Sequence, residues 1–223
     1  MSVLIYRDKQ TAAKAASMML AAGLMESPYL NFGTTYDSSL DETFSSLCNL
    51  IENGLVSFGN ARMYQLCEFV PNADQSVSIR DLLRDAFLTN ACIPEEQYVV
   101  PYNTKGNWAQ ICSDFENDIF AHGGLDLVLI ALRADGSLLF NPVGEELAPV
   151  THVEVIGTDK VVTVGMATIM RAKKLIVFAS GADVAQTVAL ALGGSVSNEC
   201  PASYLQMHQN TTFIMDEEAA SLL

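Results

Sequence analysis

The residues of this sequence that could do chemistry occur in short clusters, each directly after a stretch that is predicted to be a β-strand. Thiols and carboxylates can transfer protons, whereas hydroxyls, backbone N–H groups and a well-placed cation can hold an anion. Four clusters carry such groups: Gly33-Thr34-Thr35, Cys67-Glu68, residues 133–141 and residues 180–183. In residues 133–141 the chemistry resides in Arg133, Asp135, Ser137 and Asn141.

The elements that must position these clusters alternate between helix and strand. Residues 125–132 form a nearly continuous apolar run, which is typical of a strand buried on both faces of a parallel sheet. Strands are also predicted over residues 29–33, 60–70, 173–180 and at the closing FIMDEEAA. Helices are predicted over residues 8–25 from an Asp8 cap, from Asp37 or Ser38 to Ile51, and over residues 76–88, 108–120 and 182–192.

This alternation predicts an α/β fold with a doubly wound, mostly parallel sheet and helices on both faces, the Rossmann-like arrangement. No repeat or linker-like stretch interrupts the chain, so residues 1–223 are expected to form a single domain. In such sheets ligands bind beyond the carboxyl ends of the strands, near the point where the strand order reverses. The four clusters are therefore expected to approach one another.

Composition limits the classes of partner. The formal net charge of -14, with only 12 basic residues in 223, argues against nucleic acid. The five cysteines are widely spaced and favour reduced thiols in a cytoplasmic protein. The sequence shows no signal peptide and no apolar run long enough to cross a membrane. No pair of residues has metal-ligand spacing, and no cofactor is indicated.

Several segments, in order, resemble the glucosamine-6-phosphate deaminase (isomerase) family. The landmarks are CEFVPNADQSVSIRDLLRDAFL, LDLVLIALRADGSLLFNP, TVGMATIMRAKK, FASGADVA, CPASYLQMH and FIMDEEAA. The resemblance is strong after Leu125 and weak before Gly59. The 6-phosphogluconolactonases share this scaffold and are the nearest relatives to weigh against it. The resemblance implies a sugar phosphate as ligand; a homo-oligomer is compatible with it.

The resemblance also assigns roles to single positions. In the best ungapped match, Cys67 falls at the family's Asp base and Glu68 at the residue that follows it; an alternative placement without a shortened loop puts Tyr64 at the base instead. Asp135-Gly136-Ser137 matches the family's Asp-Gly-His, so a hydroxyl replaces the imidazole of the ring-opening acid/base. Asn141 is followed directly by Pro142, without the family's intervening Glu. Residues 131–134 replace a glycine-rich loop.

The implied phosphate site is equally altered. Gly33, Thr34 and Thr35 match the family's first phosphate loop, with one of its two glycines retained. The Lys that opens the late helix falls at Val184, and the segment with a phosphate-binding Arg is missing. Arg133 or Lys160 are the candidates to replace these charges.

Two functions remain open from the sequence. In the first, the chain is an active isomerase, deaminase or lactonase in which Cys67, Asp135 and Ser137 carry out altered chemistry. In the second, it is a degenerate member that binds a sugar phosphate or a partner protein without turnover. Simpler interpretations stand beside the first, because Cys67 could be a buried structural thiol and Ser137 a turn hydroxyl. His122, His152 or His208 could supply a base only if the fold brought one of them to Ser137.

Overall fold

The computed structural model describes residues 1–70, 78–101 and 107–223. The strands are β1 Ser2–Tyr6, β2 Asn31–Thr34, β3 Arg62–Gln65, β4 Cys67–Phe69, β5 Tyr98–Val99, β6 Leu127–Ala131, β7 His152–Ile156, β8 Asp159–Thr163, β9 Lys174–Ala179 and β10 Thr211–Asp216. The α-helices are α1 Lys9–Glu26, α2 Asp41–Glu52, α3 Ile79–Leu83, α4 Trp108–Ala121, α5 Met166–Met170 and α6 Ala185–Gly193. A 3-10 turn over Ser38–Leu40 leads into α2, another over Ala182–Val184 leads into α6, and Arg84–Leu88 continues α3 as a π-helical segment.

Seven strands form one parallel sheet in the order β1-β10-β9-β6-β2-β3-β5. From β2 the chain moves outward to β3 and β5, and it then returns to the other side of β2 as β6. The strand order therefore reverses between β2 and β6, which makes their carboxyl ends the switch point. The predicted doubly wound α/β fold is confirmed.

The central strands of the main sheet are buried on both faces, and β6 shows how its sequence achieves this. All five residues of β6 are buried. Leu127 and Leu129 pack into the core that holds α1 and α2, whereas Val128 and Ile130 pack into the core that holds α4 and α6. Because side chains alternate across a strand, a strand between two helical layers must be apolar at every position.

The prediction of one strand over residues 60–70 was wrong. β3 lies in the main sheet, but β4 lies in a second, antiparallel sheet of order β4-β8-β7. The division occurs at Leu66, whose backbone N–H donates to Thr34 in the main sheet and whose carbonyl accepts from the N–H of Val164, next to β8. The sequence analysis had not assigned the β7–β8 hairpin, which turns at Gly157 with a φ of +62°.

The remaining helix predictions differ mainly at their ends. Asp8 caps α1 as predicted, since its carboxylate accepts from the N–H of Thr11 at 2.7 Å. The helix predicted over residues 76–88 begins at Ile79 with Ser78 as its cap, and residues 76 and 77 lie outside the described part of the chain. Within the described ranges, no helix combines the length and apolarity that crossing a bilayer requires.

Candidate active site

A cleft of about 440 Å³ opens at the switch point. We call it the switch-point cleft. Three groups of residues line it, following the carboxyl ends of β2, β6 and β9: Asp37, Ser38 and Ser39; Leu132, Arg133, Ala134 and Asp135; and Ser180, Asp183 and Val184. Two of these groups open helical segments, at Ser38 and at Ala182. The positive ends of these segments therefore lie at the cleft.

Arg133 supplies a cationic side chain to the cleft. Its side chain is 42% exposed, and its Nε lies 3.9 Å from Oδ1 of Asp135. Its guanidinium carbon lies 5.4 Å from the ring centroid of Phe140, and that ring packs edge-on against Phe69. The aromatic contact orients the guanidinium, and most of its N–H groups have no hydrogen-bond partner among the described residues, so they can bind an anion.

Asp135 and Ser137 form a local turn. Oδ1 of Asp135 accepts from the backbone N–H of Ser137 at 3.0 Å and from its hydroxyl at 2.6 Å. Gly136 between them has a φ of +81°, a conformation that favours glycine. Asp135 is 59% exposed, whereas Ser137 is buried. The carboxylate thus orients the Ser137 hydroxyl at the position that matches an imidazole in the family pattern.

Asn141 is fully buried behind this turn. Its side-chain amide donates to the carbonyls of Leu138 and Val164, each at 3.0 Å, and thereby ties the turn to the end of β8. It does not line the switch-point cleft. These contacts give Asn141 a positioning part in the fold.

Cys67 is fully buried at the start of β4. Its Sγ lies 2.8 Å from the hydroxyl of Thr35. Burial raises the pKa of this thiol to about 12, and the opposing effects of the Thr35 hydrogen bond and the Arg133 charge are smaller. At neutral pH the group is therefore a protonated thiol, which is neither a base nor a nucleophile.

Glu68 is buried and holds the start of α3. Its carboxylate accepts from the backbone N–H groups of Phe69, Ile79 and Arg80. It also accepts from the side chains of Gln65 at 2.9 Å and Ser78 at 3.0 Å. Five donors occupy its two oxygens, so the carboxylate is committed to the structure and does not line the switch-point cleft.

The segment matched to a phosphate loop lies inside the sheet. Gly33 is in β2, and a Cβ there would lie 3.0 Å from Leu66 and 3.2 Å from Val128, so glycine is needed for packing. Thr34 is buried and donates its hydroxyl to the carbonyl of Leu129 at 3.0 Å. Neither these residues nor Thr35 line the cleft. The structure thus separates Gly33, Thr34, Thr35, Cys67, Glu68 and Asn141, all buried, from Arg133 and Asp135, which face the cleft.

The other candidate bases lie elsewhere. Tyr64 is buried in the core and donates its hydroxyl to Asp118 of α4 at 2.9 Å. His122 contacts the carbonyl of Asp118, His152 that of Val150, and His208 is buried between Thr211 and the carbonyl of Ala172. Across the described ranges, none of the three histidines lines the cleft, and no His, Cys, Asp and Glu side chains gather into a metal-binding group.

The sequence analysis missed Ser38 and Ser39 as cleft residues. Both follow β2 by only a few positions, and Asp37 caps this turn by accepting from the N–H of Ser39 at 2.9 Å. The signal was present in the predicted cap, but it was interpreted only as a helix start. Residues 180–183 were identified as a strand end, and Ser180 and Asp183 do line the cleft.

Comparisons with known proteins agree with this architecture. The family model described as glucosamine-6-phosphate isomerases/6-phosphogluconolactonase matches residues 38–214. The chain is 29% identical to a glucosamine-6-phosphate deaminase of Halothermothrix orenii, with 100% of both chains covered. It is 30% identical to that of Pseudoalteromonas translucida, covering 100% of this chain and 90% of the relative.

Solved structures show the same fold over the full length. A structure described as a monomeric glucosamine-6-phosphate deaminase superposes with a TM-score of 0.92 at 24% identity and covers 100% of both chains. The 6-phosphogluconolactonase of Trypanosoma brucei superposes with a TM-score of 0.81 at 18% identity, covering 100% of this chain and 98% of that one. By sequence and by fold, the chain belongs to the glucosamine-6-phosphate isomerase/6-phosphogluconolactonase family.

Proposed function

We propose that this protein binds a sugar phosphate in the switch-point cleft and does not deaminate glucosamine 6-phosphate. The observation that carries the proposal is the split between the two halves of the predicted site. Arg133 and Asp135 face the cleft, whereas Cys67, at the position matched to the family's base, is fully buried. The groups suited to binding are accessible, and the group matched to proton transfer is not.

The cleft suits a ligand that carries both hydroxyls and a phosphate. Asp37, Asp135 and Asp183 line it and offer carboxylate oxygens that accept hydrogen bonds from sugar hydroxyls. Arg133 can form two parallel hydrogen bonds with a phosphate. Because three carboxylates share the cleft with one guanidinium, an anion without hydroxyls should bind more weakly than a sugar phosphate.

The two groups matched to the family's base and to its ring-opening imidazole cannot transfer protons in the cleft. The pKa of Cys67, raised to about 12 by burial, keeps the thiol protonated, and the hydroxyl of Ser137 does not change its protonation state near neutral pH as an imidazole does. Among the described residues, no histidine lines the cleft. Each positioned acid or base contributes roughly 10²–10⁴-fold to a rate, so losing two of them removes most of the acceleration.

A binding experiment tests the first half of the proposal. In a thermal-shift panel of hexose and pentose phosphates with the matching free sugars, a ligand at 100 times its Kd should add about 2.7 kcal/mol to the stability. Arg133→Gln should weaken the best ligand by about 10- to 100-fold, because a charge-assisted hydrogen bond contributes about 1.5–3 kcal/mol. Arg171→Gln, which removes an exposed charge away from the cleft, is the matched control. Equal weakening by both variants would contradict a phosphate contact at Arg133.

An activity assay tests the second half. With glucosamine 6-phosphate, we expect no coupled ammonia release above the uncatalysed background. Ammonia release that a Cys67→Ala variant abolishes would overturn the proposal and assign the chemistry to that thiol. Hydrolysis of 6-phosphogluconolactone, measured in parallel, would instead establish the lactonase activity of the family's other branch.

A further inference from the structure

A second cavity, of about 290 Å³, lies beside the edge strand β5 and shares no lining residue with the switch-point cleft. We call it the Arg80–Arg84 cavity. Its polar wall consists of Arg80, Arg84, Thr89 and Tyr98, together with Glu95 at the rim. Leu88 and Ile93 form its apolar wall. The lining thus combines two arginine side chains with a small apolar surface.

The two arginines already bind carboxylates, but only exposed ones. Arg80 Nη2 lies 3.0 Å from Glu95 Oε1, and the Glu95 side chain is 86% exposed. Arg84 Nη1 lies 2.8 Å from Asp81 Oδ1, and Asp81 is also exposed. Exposed ion pairs of this kind contribute little to stability, so a ligand anion can replace either carboxylate with little loss.

Arg80 retains a donor without an acceptor. Its Nε is buried and has no hydrogen-bond partner among the described residues. A buried N–H group without an acceptor is unfavourable, so an anion that reached it would supply the missing hydrogen bond. This orphan donor is an independent sign that the cavity lacks an acceptor.

The arginine side of the cavity is held in place by a buried network. The guanidinium carbon of Arg80 lies 5.9 Å from the ring centroid of Tyr98. The Tyr98 hydroxyl donates to Gln65, and Gln65 donates to Glu68, which in turn accepts from the backbone N–H of Arg80. The ring of Tyr98 and the backbone of Arg80 are therefore fixed before any ligand binds, which lowers the entropy lost on binding.

We propose that the Arg80–Arg84 cavity is a second anion site that binds a small phosphate monoester. Two guanidinium groups match the oxygens of a phosphate in geometry and charge. The Thr89 hydroxyl can donate a further hydrogen bond, and Leu88 and Ile93 accommodate an apolar or planar substituent. The site is separate from the switch-point cleft, because the two share no lining residue.

Calorimetric titration with phenyl phosphate tests this site. The titration is made in the wild type and in Arg133→Gln, which weakens phosphate binding in the switch-point cleft and so separates the two proposals. We expect one phenyl phosphate per chain in Arg133→Gln and weaker binding of inorganic phosphate, with none of phenol. Adding Arg84→Gln should weaken binding at least about 10-fold, since a charge-assisted hydrogen bond is lost.

A pair of neighbouring glutamates provides the sharper test. Glu95→Gln removes the carboxylate that competes for Arg80 and should tighten phenyl phosphate binding by about two- to fivefold. Glu96→Gln changes the net charge equally, and Glu96 forms no ion pair with any described residue. Equal affinities of the two variants would overturn the proposal, as would an unchanged Kd in a folded Arg84→Gln or no binding of phenyl phosphate. If Arg84→Gln does not fold, the comparison of phenyl phosphate affinity between Glu95→Gln and Glu96→Gln tests the proposal by itself.

Discussion

The buried carboxylate of Glu68 offers a quantitative test of how the site is supported. Glu68→Ala removes the acceptor of five donors, which come from Gln65, Phe69, Ser78, Ile79 and Arg80. In the sequence analysis Glu68 was a candidate ligand-binding residue. The structure instead predicts that its loss destabilises the fold and detaches the start of α3 from β4.

The size of the effect follows from the donors that become unsatisfied. The N–H of Ile79 and the side-chain amide of Gln65 are buried, and each buried donor without an acceptor costs about 1–3 kcal/mol. Ser78 and Arg80 are partly exposed, so water can satisfy them in part. We therefore expect Glu68→Ala to lower the free energy of unfolding by about 3–5 kcal/mol. For a chain of this length that is roughly 6–20 °C in Tm.

Urea denaturation monitored by circular dichroism measures this change, with thermal melts in parallel. Glu217→Ala is the control, because Glu217 is an exposed carboxylate that directly follows β10. A free energy of unfolding for Glu68→Ala within about 1 kcal/mol of wild type would refute the reasoning. Glu68 would then be free to act on a ligand, and Glu68→Ala should instead weaken ligand binding in the thermal-shift panel.

Two further predictions concern the same region. Gly33→Ala should destabilise the protein by about 1–3 kcal/mol in urea, because its Cβ would lie 3.0 Å from Leu66; Gly193→Ala, where a Cβ meets nothing within 4 Å, should be neutral or stabilising. Cys67 should make stability fall above pH 9, since the thiol ionises near its ordinary pKa of 9.0 in the unfolded chain while its pKa in the folded protein is about 12. The difference in unfolding free energy between wild type and Cys67→Ala should therefore stay constant below pH 8. From pH 9 to 12 it should shrink by about 1.4 kcal/mol per pH unit. A difference that stayed constant over the whole pH range would contradict the raised pKa of Cys67.

The fold could be predicted wherever a local pattern carried the information. The apolar run at residues 125–132 marks a strand between two helical layers, and Asp8 marks a helix start. The division of residues 60–70 could not be predicted, because nothing in that stretch interrupts a strand. It arises at Leu66, which bonds to Thr34 on one side and to Val164 on the other, two positions far apart in the sequence.

The location of the candidate site could be predicted from the sequence, but the burial of its residues could not. Counting strand ends correctly placed Arg133, Asp135 and Asp183 at the switch point. The same count could not show that Cys67 and Thr35, also at strand ends, are buried against each other. Burial at the end of a strand depends on which distant segment covers it, and β8, which pairs Thr163 with Cys67, was not visible as a strand in the sequence.

The burial of Cys67 bears on what the family's chemistry would need here. An aspartate at this position would be fully buried and adjacent to Glu68, whose carboxylate is already committed to α3. Desolvation and the neighbouring negative charge would both favour its protonated form, and the charge of Arg133 would oppose them only in part. A change of residue type alone would thus not restore a base that faces the cleft. The structural network of Thr35, Gln65 and Glu68 would have to open as well, which is why the proposed loss of turnover follows from the scaffold and not only from the substitutions.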